Sequence, residues 1–85
     1  MTYIVRLTRP AQKALDALEG NMFSRIVAAL RALETDPRPH GVTKMAGAEN
    51  QWRVRVGDWR IIYSILDREL VVLVVKLGHR REIYR

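Results

Sequence analysis

The sequence has no cysteine and no long run of apolar residues, and these absences exclude several classes of protein. Without cysteine, the 85 residues hold neither a disulfide nor a thiolate metal site. The longest apolar run, residues 70–75, is far shorter than the ~20 residues that a membrane-spanning helix needs. The N-terminal segment "MTYIVRLTRP" lacks the apolar region of a signal peptide. We therefore expect one soluble, cytoplasmic domain over residues 1–85, with no part in a membrane.

Acidic residues are scarce, so the charge of the chain is strongly positive. Nine Asp and Glu stand against 15 Lys and Arg, which gives a net charge of +6. Arginine outnumbers lysine twelve to three, which favours planar, bidentate contacts to phosphate or carboxylate. This balance predicts an RNA or DNA partner, an acidic protein partner, or both. An incidental basic surface is the alternative interpretation.

The first half of the chain is typical of one strand followed by two helices. Residues 3–8 alternate between the two faces of a strand, and Pro10 then suits the first turn of a helix that Thr8 or Arg9 caps. We expect that helix to end at Gly20-Asn21. A second apolar stripe predicts a helix over about residues 22–35, stopped by "DPRP". The short link between them predicts a helical hairpin.

The second half is typical of strands. "GVTKMAG" predicts a short edge strand, and residues 52–56 and 59–65 alternate between polar and apolar. Residues 70–77 are nearly all aliphatic, as in a strand that is covered on both faces. The predicted fold is α+β, with the order β-α-α-β-β-β-β and the helical hairpin packed on a mainly antiparallel twisted sheet.

The segment "WRVRVGDWR" places several arginines on one strand face. A two-residue turn at Gly57-Asp58 would set Arg55 opposite Arg60, with Arg53 on the same face and the tryptophans on the other. Like charges directly opposite each other destabilise a strand pair by roughly 0.2–1 kcal/mol. A solvated strand face is the alternative, but broken local rules tend to mark functional sites.

The C-terminal segment "GHRREIYR" adds basic and aromatic residues after the last strand, which we expect Gly78 to end. A turn near residues 67–68 would place Val75 opposite Arg60, so that the chain beyond residue 77 lies near the arginines. For His79, a surface or packing role is favoured over a catalytic one. For Tyr84, the alternative to a functional role is that it anchors the C-terminal tail to the sheet.

These residues resemble a known family. "WRVRVGDWRIIYSI", followed by "LVVLVVKLGHRREIYR" and preceded by "DPRPHGVTKMAG", is similar to the RelE branch of the RelE/ParE toxin superfamily. The resemblance implies a RelE-like fold and the toxin of a type II toxin–antitoxin pair. RelE-type members cut mRNA in the ribosomal A site through attack of a 2′-hydroxyl on the adjacent phosphate. They use no metal and no cofactor.

The resemblance also implies site residues. Those that match the family's catalytic positions are Arg53, Arg55, Arg60, Arg80 and Tyr84. Further basic residues expected to bind RNA are Lys44, Arg81 and Arg85. The best-known member has lysines at the positions of Arg53 and Arg55, and arginine is a poor general base because it stays protonated. Proton transfer then falls to Tyr84, to His79, or to a group of the RNA or ribosome.

The same resemblance leaves two other functions open. ParE-like members inhibit DNA gyrase without RNA chemistry, and an inactive toxin would serve as a co-repressor with its antitoxin. The expected partners are an acidic, RelB-like antitoxin, mRNA and the ribosomal A site. Contact with DNA is expected only indirectly, through the antitoxin.

Overall fold

The chain forms a five-stranded sheet with two helices in the predicted order. The computed structural model describes residues 2–45 and 50–83. The elements, in chain order, are β1 Ile4–Leu7, α1 Arg9–Asp16, α2 Gly20–Thr35, β2 Thr43–Lys44, β3 Gln51–Val56, β4 Trp59–Leu66 and β5 Val71–His79. No helix among these is long and apolar enough to cross a membrane.

The order of strands across the sheet is β1-β5-β4-β3-β2. Strand β1 pairs with β5 in parallel, and every other pair is antiparallel. After β1, the helices α1 and α2 carry the chain over one face of the sheet to β2 at the opposite edge. The antiparallel strands β2 to β5 then return across the sheet, and β5 lies beside β1 and runs parallel to it. The α+β prediction and the order β-α-α-β-β-β-β are therefore confirmed.

Thr8 joins the start of α1 to the sheet. Its hydroxyl oxygen accepts a hydrogen bond from the backbone N–H of Ala11, and its O–H donates one to the carbonyl of Val75 at 2.7 Å. Thr8 is thus the N-cap, which decides between the two residues, Thr8 and Arg9, that the sequence left open. The end of the helix differs from the prediction: α1 stops at Asp16, and Gly20 begins α2 with φ +60° instead of closing α1.

The core lies between the two helices and one face of the sheet, here called the helix face. Its members are Ala11 and Leu15 of α1, Ile26, Leu30 and Leu33 of α2, and Ile61, Tyr63, Ile65, Val72, Val74 and Leu77 of the sheet. The opposite side of β5 is only partly covered, because Val71, Leu73 and Val75 retain some exposure. The expectation that this strand is covered on both faces is therefore wrong, since both helices pack on the same side.

Tyr63 is a core residue whose pKa is shifted by its burial. Its side chain is buried, and its hydroxyl donates to the carbonyl oxygen of Pro37 at 2.8 Å. Burial raises the pKa of Tyr63 to about 12, chiefly because the phenolate would lose its hydration. The bond ties strand β4 to the loop that follows α2.

This shift predicts a loss of stability in base. Because the folded pKa exceeds the unfolded value of 10.0, the stabilisation is complete below pH 10 and is lost as the pH rises through about 12. We expect wild type to be more stable than Tyr63→Phe by about 1 kcal/mol at pH 8. Their free energies of unfolding, measured with urea, should converge above pH 10 and cross before pH 12, because the rise in pKa from 10.0 to about 12 removes roughly 2.7 kcal/mol in total. A constant difference over that range would contradict the assignment.

Candidate nucleic-acid interface

The β3–β4 hairpin sets three arginines on the side of the sheet opposite the helices. Arg55 pairs directly with Arg60 across the turn, and Arg53 lies on the same face of β3. This register is the one predicted from the sequence. Gly57 opens the turn with φ +60°, a conformation that glycine adopts without a steric penalty. The face that carries Arg53, Arg55 and Arg60 is here called the arginine face.

Arg60 is held in place without losing its charge. Its Nη1 donates to the carbonyl oxygens of Gly57 and Trp59, each at 3.0 Å. Carbonyl oxygens accept hydrogen bonds but carry no full negative charge, so they do not neutralise the positive charge of the guanidinium. The turn therefore orients the arginine and leaves it able to attract an anion.

The pairing of Arg55 with Arg60 predicts a variant that gains stability. Arg55→Glu replaces a like-charge pair with an opposite-charge pair, and we expect the free energy of unfolding to rise by about 0.5–1 kcal/mol. Arg68→Glu makes the same change of net charge in the exposed turn after β4 and is the matched control. Equal gains in urea denaturation would contradict the prediction, because they would reflect the lower net charge alone.

The β4–β5 register differs from the prediction. Arg60 lies opposite Gly78 and not opposite Val75, a displacement of three residues. Two of these come from the turn, which spans the four residues 67–70 where two were expected. The third comes from an irregularity between Ile62 and Tyr63, typical of a β-bulge.

The corrected register brings the C-terminal segment onto the arginine face. Strand β5 continues through Gly78 to His79, so the expectation that Gly78 ends the strand is wrong. Ile83 is buried and packs over Gly78: a Cβ placed on this glycine would lie 3.6 Å from the Cβ of Ile83. Since Gly78 pairs with Arg60, the segment after β5 folds back beside that arginine.

Arg80 is anchored to the hairpin turn. Its backbone N–H donates to the carbonyl of Asp58 at 2.8 Å, and its Nε lies 3.6 Å from a carboxylate oxygen of Asp58. This pair is exposed, so its electrostatic contribution to stability is small. Its consequence is positional, because it holds Arg80 beside the turn that joins Arg55 to Arg60.

Other predicted site residues lie elsewhere. His79 pairs with Trp59, and the two rings meet edge to face at 6.1 Å on the helix side. Lys44 pairs with Trp52, and its Nζ lies 5.8 Å from that ring, also on the helix side. The structure therefore does not bring His79 and Lys44 together with the arginine face. Arg81 is exposed, and the predictions for Tyr84 and Arg85 lie outside the described residues.

A second charged cluster occupies the opposite end of the sheet. Arg38 and Tyr3 both donate to the carboxylate of Asp67, at 2.9 Å and 2.7 Å. The hydrogen bond from Arg38, followed by that from Tyr3, lowers the pKa of Asp67. The same bond to Asp67 raises the pKa of Tyr3. These hydrogen bonds connect the residue before β1, the loop after α2 and the β4–β5 turn. We therefore assign the cluster a role in holding the fold together.

Arg25 is the site residue that sequence reasoning missed. It belongs to α2, yet its guanidinium lies against the hairpin turn, with Nη1 and Nη2 each 3.4 Å from where a Cβ on Gly57 would be. The two residues are far apart in the sequence, and no local motif links them. Only the packing of α2 against the sheet brings Arg25 to the turn.

The arrangement suits a large anionic partner more than a small ligand. Residues 2–45 and 50–83 enclose no pocket, so the arginines line an open surface. The same part of the chain has no group of three or more His, Asp or Glu side chains placed to hold a metal ion. What the surface offers chemically is a set of fixed positive charges with planar donor groups.

Comparison with known proteins identifies the family. A sequence model described as the ParE toxin of type II toxin-antitoxin system, parDE, matches residues 5–84. Toxin RelG of Mycobacterium tuberculosis is 29% identical over 86 residues, which cover 100% of this chain and 99% of that protein. The chain is a RelE-type toxin of this family. The matched range includes Arg25, Arg53, Arg55, Arg60, Arg80 and Tyr84.

Solved structures agree with this placement of the toxin. The archaeal RelE-RelB complex from Pyrococcus horikoshii OT3 contains a chain with 32% identity and a TM-score of 0.83, covering 96% of the toxin and 99% of that chain. The intact Escherichia coli RelBE toxin-antitoxin complex gives a TM-score of 0.81 at 20% identity, with 91% and 95% covered, and supports the fold alone.

Proposed function

We propose that the toxin is a ribosome-dependent endoribonuclease that cuts mRNA in the ribosomal A site and so blocks translation. The observation that carries the proposal is the direct opposition of Arg55 and Arg60 on an open face, with Arg53 and Arg80 close to them in the fold. Opposed like charges work against the stability of the hairpin. A polyanionic backbone such as that of RNA would offer phosphate contacts to Arg55, Arg60 and Arg80 at once.

The proposed reaction is an internal transfer at phosphorus. The mRNA 2′-oxygen forms a bond to the adjacent phosphorus while the bond from phosphorus to the 5′-oxygen of the next nucleotide breaks. The 2′-hydroxyl gives up its proton, and the leaving 5′-oxygen gains one, so that the products are a 2′,3′-cyclic phosphate and a 5′-hydroxyl. Arg53, Arg55, Arg60 and Arg80 stabilise the negative charge that grows on the phosphoryl oxygens. No metal or cofactor takes part.

Proton transfer is assigned to a group other than these arginines, which stay protonated. The backbone N–H of Arg81 donates to Nδ1 of His79 at 3.2 Å, so the neutral ring carries its own proton on Nε2. Because this ring packs on Trp59 on the helix face, we favour Tyr84, or a group of the RNA or ribosome. Lys44, Arg81 and Arg85 are proposed to bind RNA outside the reacting centre.

We further propose that an acidic antitoxin neutralises the toxin in the cytoplasm. The relatives from Pyrococcus horikoshii and Escherichia coli were solved as complexes with an antitoxin. A net charge of +6 favours a partner of opposite charge. Such a RelB-like partner would fold over the basic surface, and the pair would reach DNA only through the antitoxin.

The second candidate is a ParE-like inhibitor of DNA gyrase. The observation that favours it is the name of the matching family model, which is that of the ParE toxin. Inhibition of gyrase by binding does not need several arginines around one hairpin turn, so the arginine face favours the endoribonuclease. A toxin that acts only as co-repressor is the third candidate.

Purified toxin added to two reactions separates these functions. We expect it to stop protein synthesis in a cell-free translation reaction and to leave the supercoiling of relaxed plasmid by gyrase unchanged. Inhibition of supercoiling with normal translation would establish the gyrase candidate in place of the endoribonuclease. A toxin inert in both reactions would leave the co-repressor role.

A further inference from the structure

The turn between β3 and β4 collects arginines from three separate parts of the chain. Arg60 of β4 donates to the carbonyl of Gly57, and Arg80, just after β5, binds the carbonyl and carboxylate of Asp58. Arg25 of α2 comes to the same turn from the helix side. Three guanidinium groups therefore surround a two-residue turn that carries a single carboxylate.

Arg25 packs against the backbone of Gly57. A Cβ on Gly57 would lie 3.4 Å from both Nη1 and Nη2, and 3.7 Å from Cζ, which is van der Waals contact. The planar group thus lies directly beside the turn. Gly57 has a positive φ, which is the reason that glycine stands here.

Within residues 2–45 and 50–83, the arginines around the turn have one carboxylate partner, that of Asp58. Arg60 binds carbonyl oxygens, which leave its charge intact, while Arg80 and Asp58 form an exposed pair. Arg25 is exposed. The hairpin turn is therefore electropositive, and it is continuous with the arginine face because Arg60 belongs to both.

We propose that the hairpin turn is a second phosphate-binding site, in which Arg25 binds an RNA backbone phosphate beside the one that reacts. The inference rests on the proposed endoribonuclease function and extends it to a residue on α2. Guanidinium groups bind phosphate through paired N–H donors. Arg60 is oriented by the turn before any ligand arrives, and Arg25 lies in contact with the same turn. Arg25 is an RNA-binding residue that positions the strand and takes no part in the transfer at phosphorus.

Arg60 belongs to both the arginine face and the hairpin turn. The RNA phosphates next to the reacting one are therefore the anions that would lie nearest to Arg25. An acidic antitoxin segment is the competing occupant of this turn. The two are distinguished by which complex a change at Arg25 weakens.

The test measures binding of labelled toxin to ribosomes programmed with an mRNA whose A-site codon carries 2′-O-methyl groups, which block the cut. Binding is measured at several KCl concentrations for wild type and Arg25→Gln. Arg31→Gln is the matched control, since Arg31 is also exposed on α2 and lies about 9 Å further along the helix axis.

We expect Arg25→Gln to weaken binding about five- to tenfold and to reduce the slope of log affinity against log salt by roughly 0.7 to 0.9, as loss of one phosphate contact does. Arg31→Gln should change affinity less than twofold. Arg25→Lys keeps the charge and should restore the slope. In cleavage reactions with unmodified mRNA, Arg25→Gln should raise the half-saturating toxin concentration and leave the maximal rate unchanged.

Each other outcome overturns the inference in a recognisable way. If wild type binds and Arg25→Gln binds equally with the same slope, the second site is wrong and the endoribonuclease function stands. If Arg25→Gln weakens only binding to an acidic antitoxin, the turn belongs to that interface. If wild type does not bind programmed ribosomes, the proposed function and the second site both fail.

Discussion

Arg60→Ala is expected to lower the single-turnover rate of mRNA cleavage on the ribosome by about 100-fold or more. Removal of one group that stabilises the charge of a transition state typically costs about 10² to 10³ in rate. Arg60 meets the conditions for such an effect, because it is oriented by two carbonyls and lies between Arg55 on one neighbouring strand and Gly78 on the other.

The fold should survive this change. Arg60 lies on the arginine face, outside the core, and its alanine variant removes a like-charge contact with Arg55. Arg68→Ala is the control, since it removes the same charge from an exposed turn at the other end of β4. A folded Arg60→Ala protein that cuts mRNA as fast as the control would show that this face is not the reacting site.

Ile61→Asp is expected to abolish folding. Ile61 is the residue after Arg60, and its side chain points to the helix face, where it is 0% exposed. Burying an unpaired carboxylate there costs several kcal/mol in addition to the lost apolar contacts. The total stability of a small domain is only about 5–15 kcal/mol, so we expect circular dichroism to show no cooperative thermal transition.

Ile4→Asp is the matched control for that change. Ile4 is also a strand isoleucine, but it is 60% exposed on the edge strand β1. A surface substitution of this kind usually changes stability by about 0.5 kcal/mol or less. If both variants unfold alike, aspartate is poorly tolerated in any strand of this sheet, and the loss of folding in Ile61→Asp would not report the burial of Ile61. A folded Ile61→Asp protein would mean that the two faces of β4 are assigned the wrong way round.

The features that the sequence predicts correctly are those set by local rules. The alternation of residues in β3 and β4 and the glycine of the turn determine which side each arginine occupies. Thr8 and Pro10 mark the start of α1 for a similar reason, because capping and proline preferences act within a few residues. The pairing of Arg55 with Arg60 follows from these rules alone.

The features that it predicts wrongly either lack a local sequence signature or depend on contacts between distant parts of the chain. The β4–β5 register fails because neither the four-residue turn at 67–70 nor the irregularity beside Ile62 has a sequence signature of its own. The position of Arg25 beside the hairpin turn also has no local sequence signature, because it depends on how α2 packs against the sheet. Lys44 ends on the helix face because its register against Trp52 fixes that face.

The arginines at positions 53 and 55 also shape the expected chemistry. A guanidinium retains its proton at any physiological pH, so these residues can stabilise charge and orient phosphate but cannot accept the proton of the 2′-hydroxyl. The arginine face is therefore expected to supply electrostatic stabilisation, and the proton transfers are expected to fall to other groups.

The decisive measurement for the endoribonuclease function is primer extension on an mRNA incubated in vitro, with and without the toxin and with and without translating ribosomes. We predict new cuts inside codons when the toxin and ribosomes are both present, and none when either is left out. Intact mRNA under all of these conditions would contradict the endoribonuclease function, and cuts that appear without ribosomes would contradict its dependence on the A site.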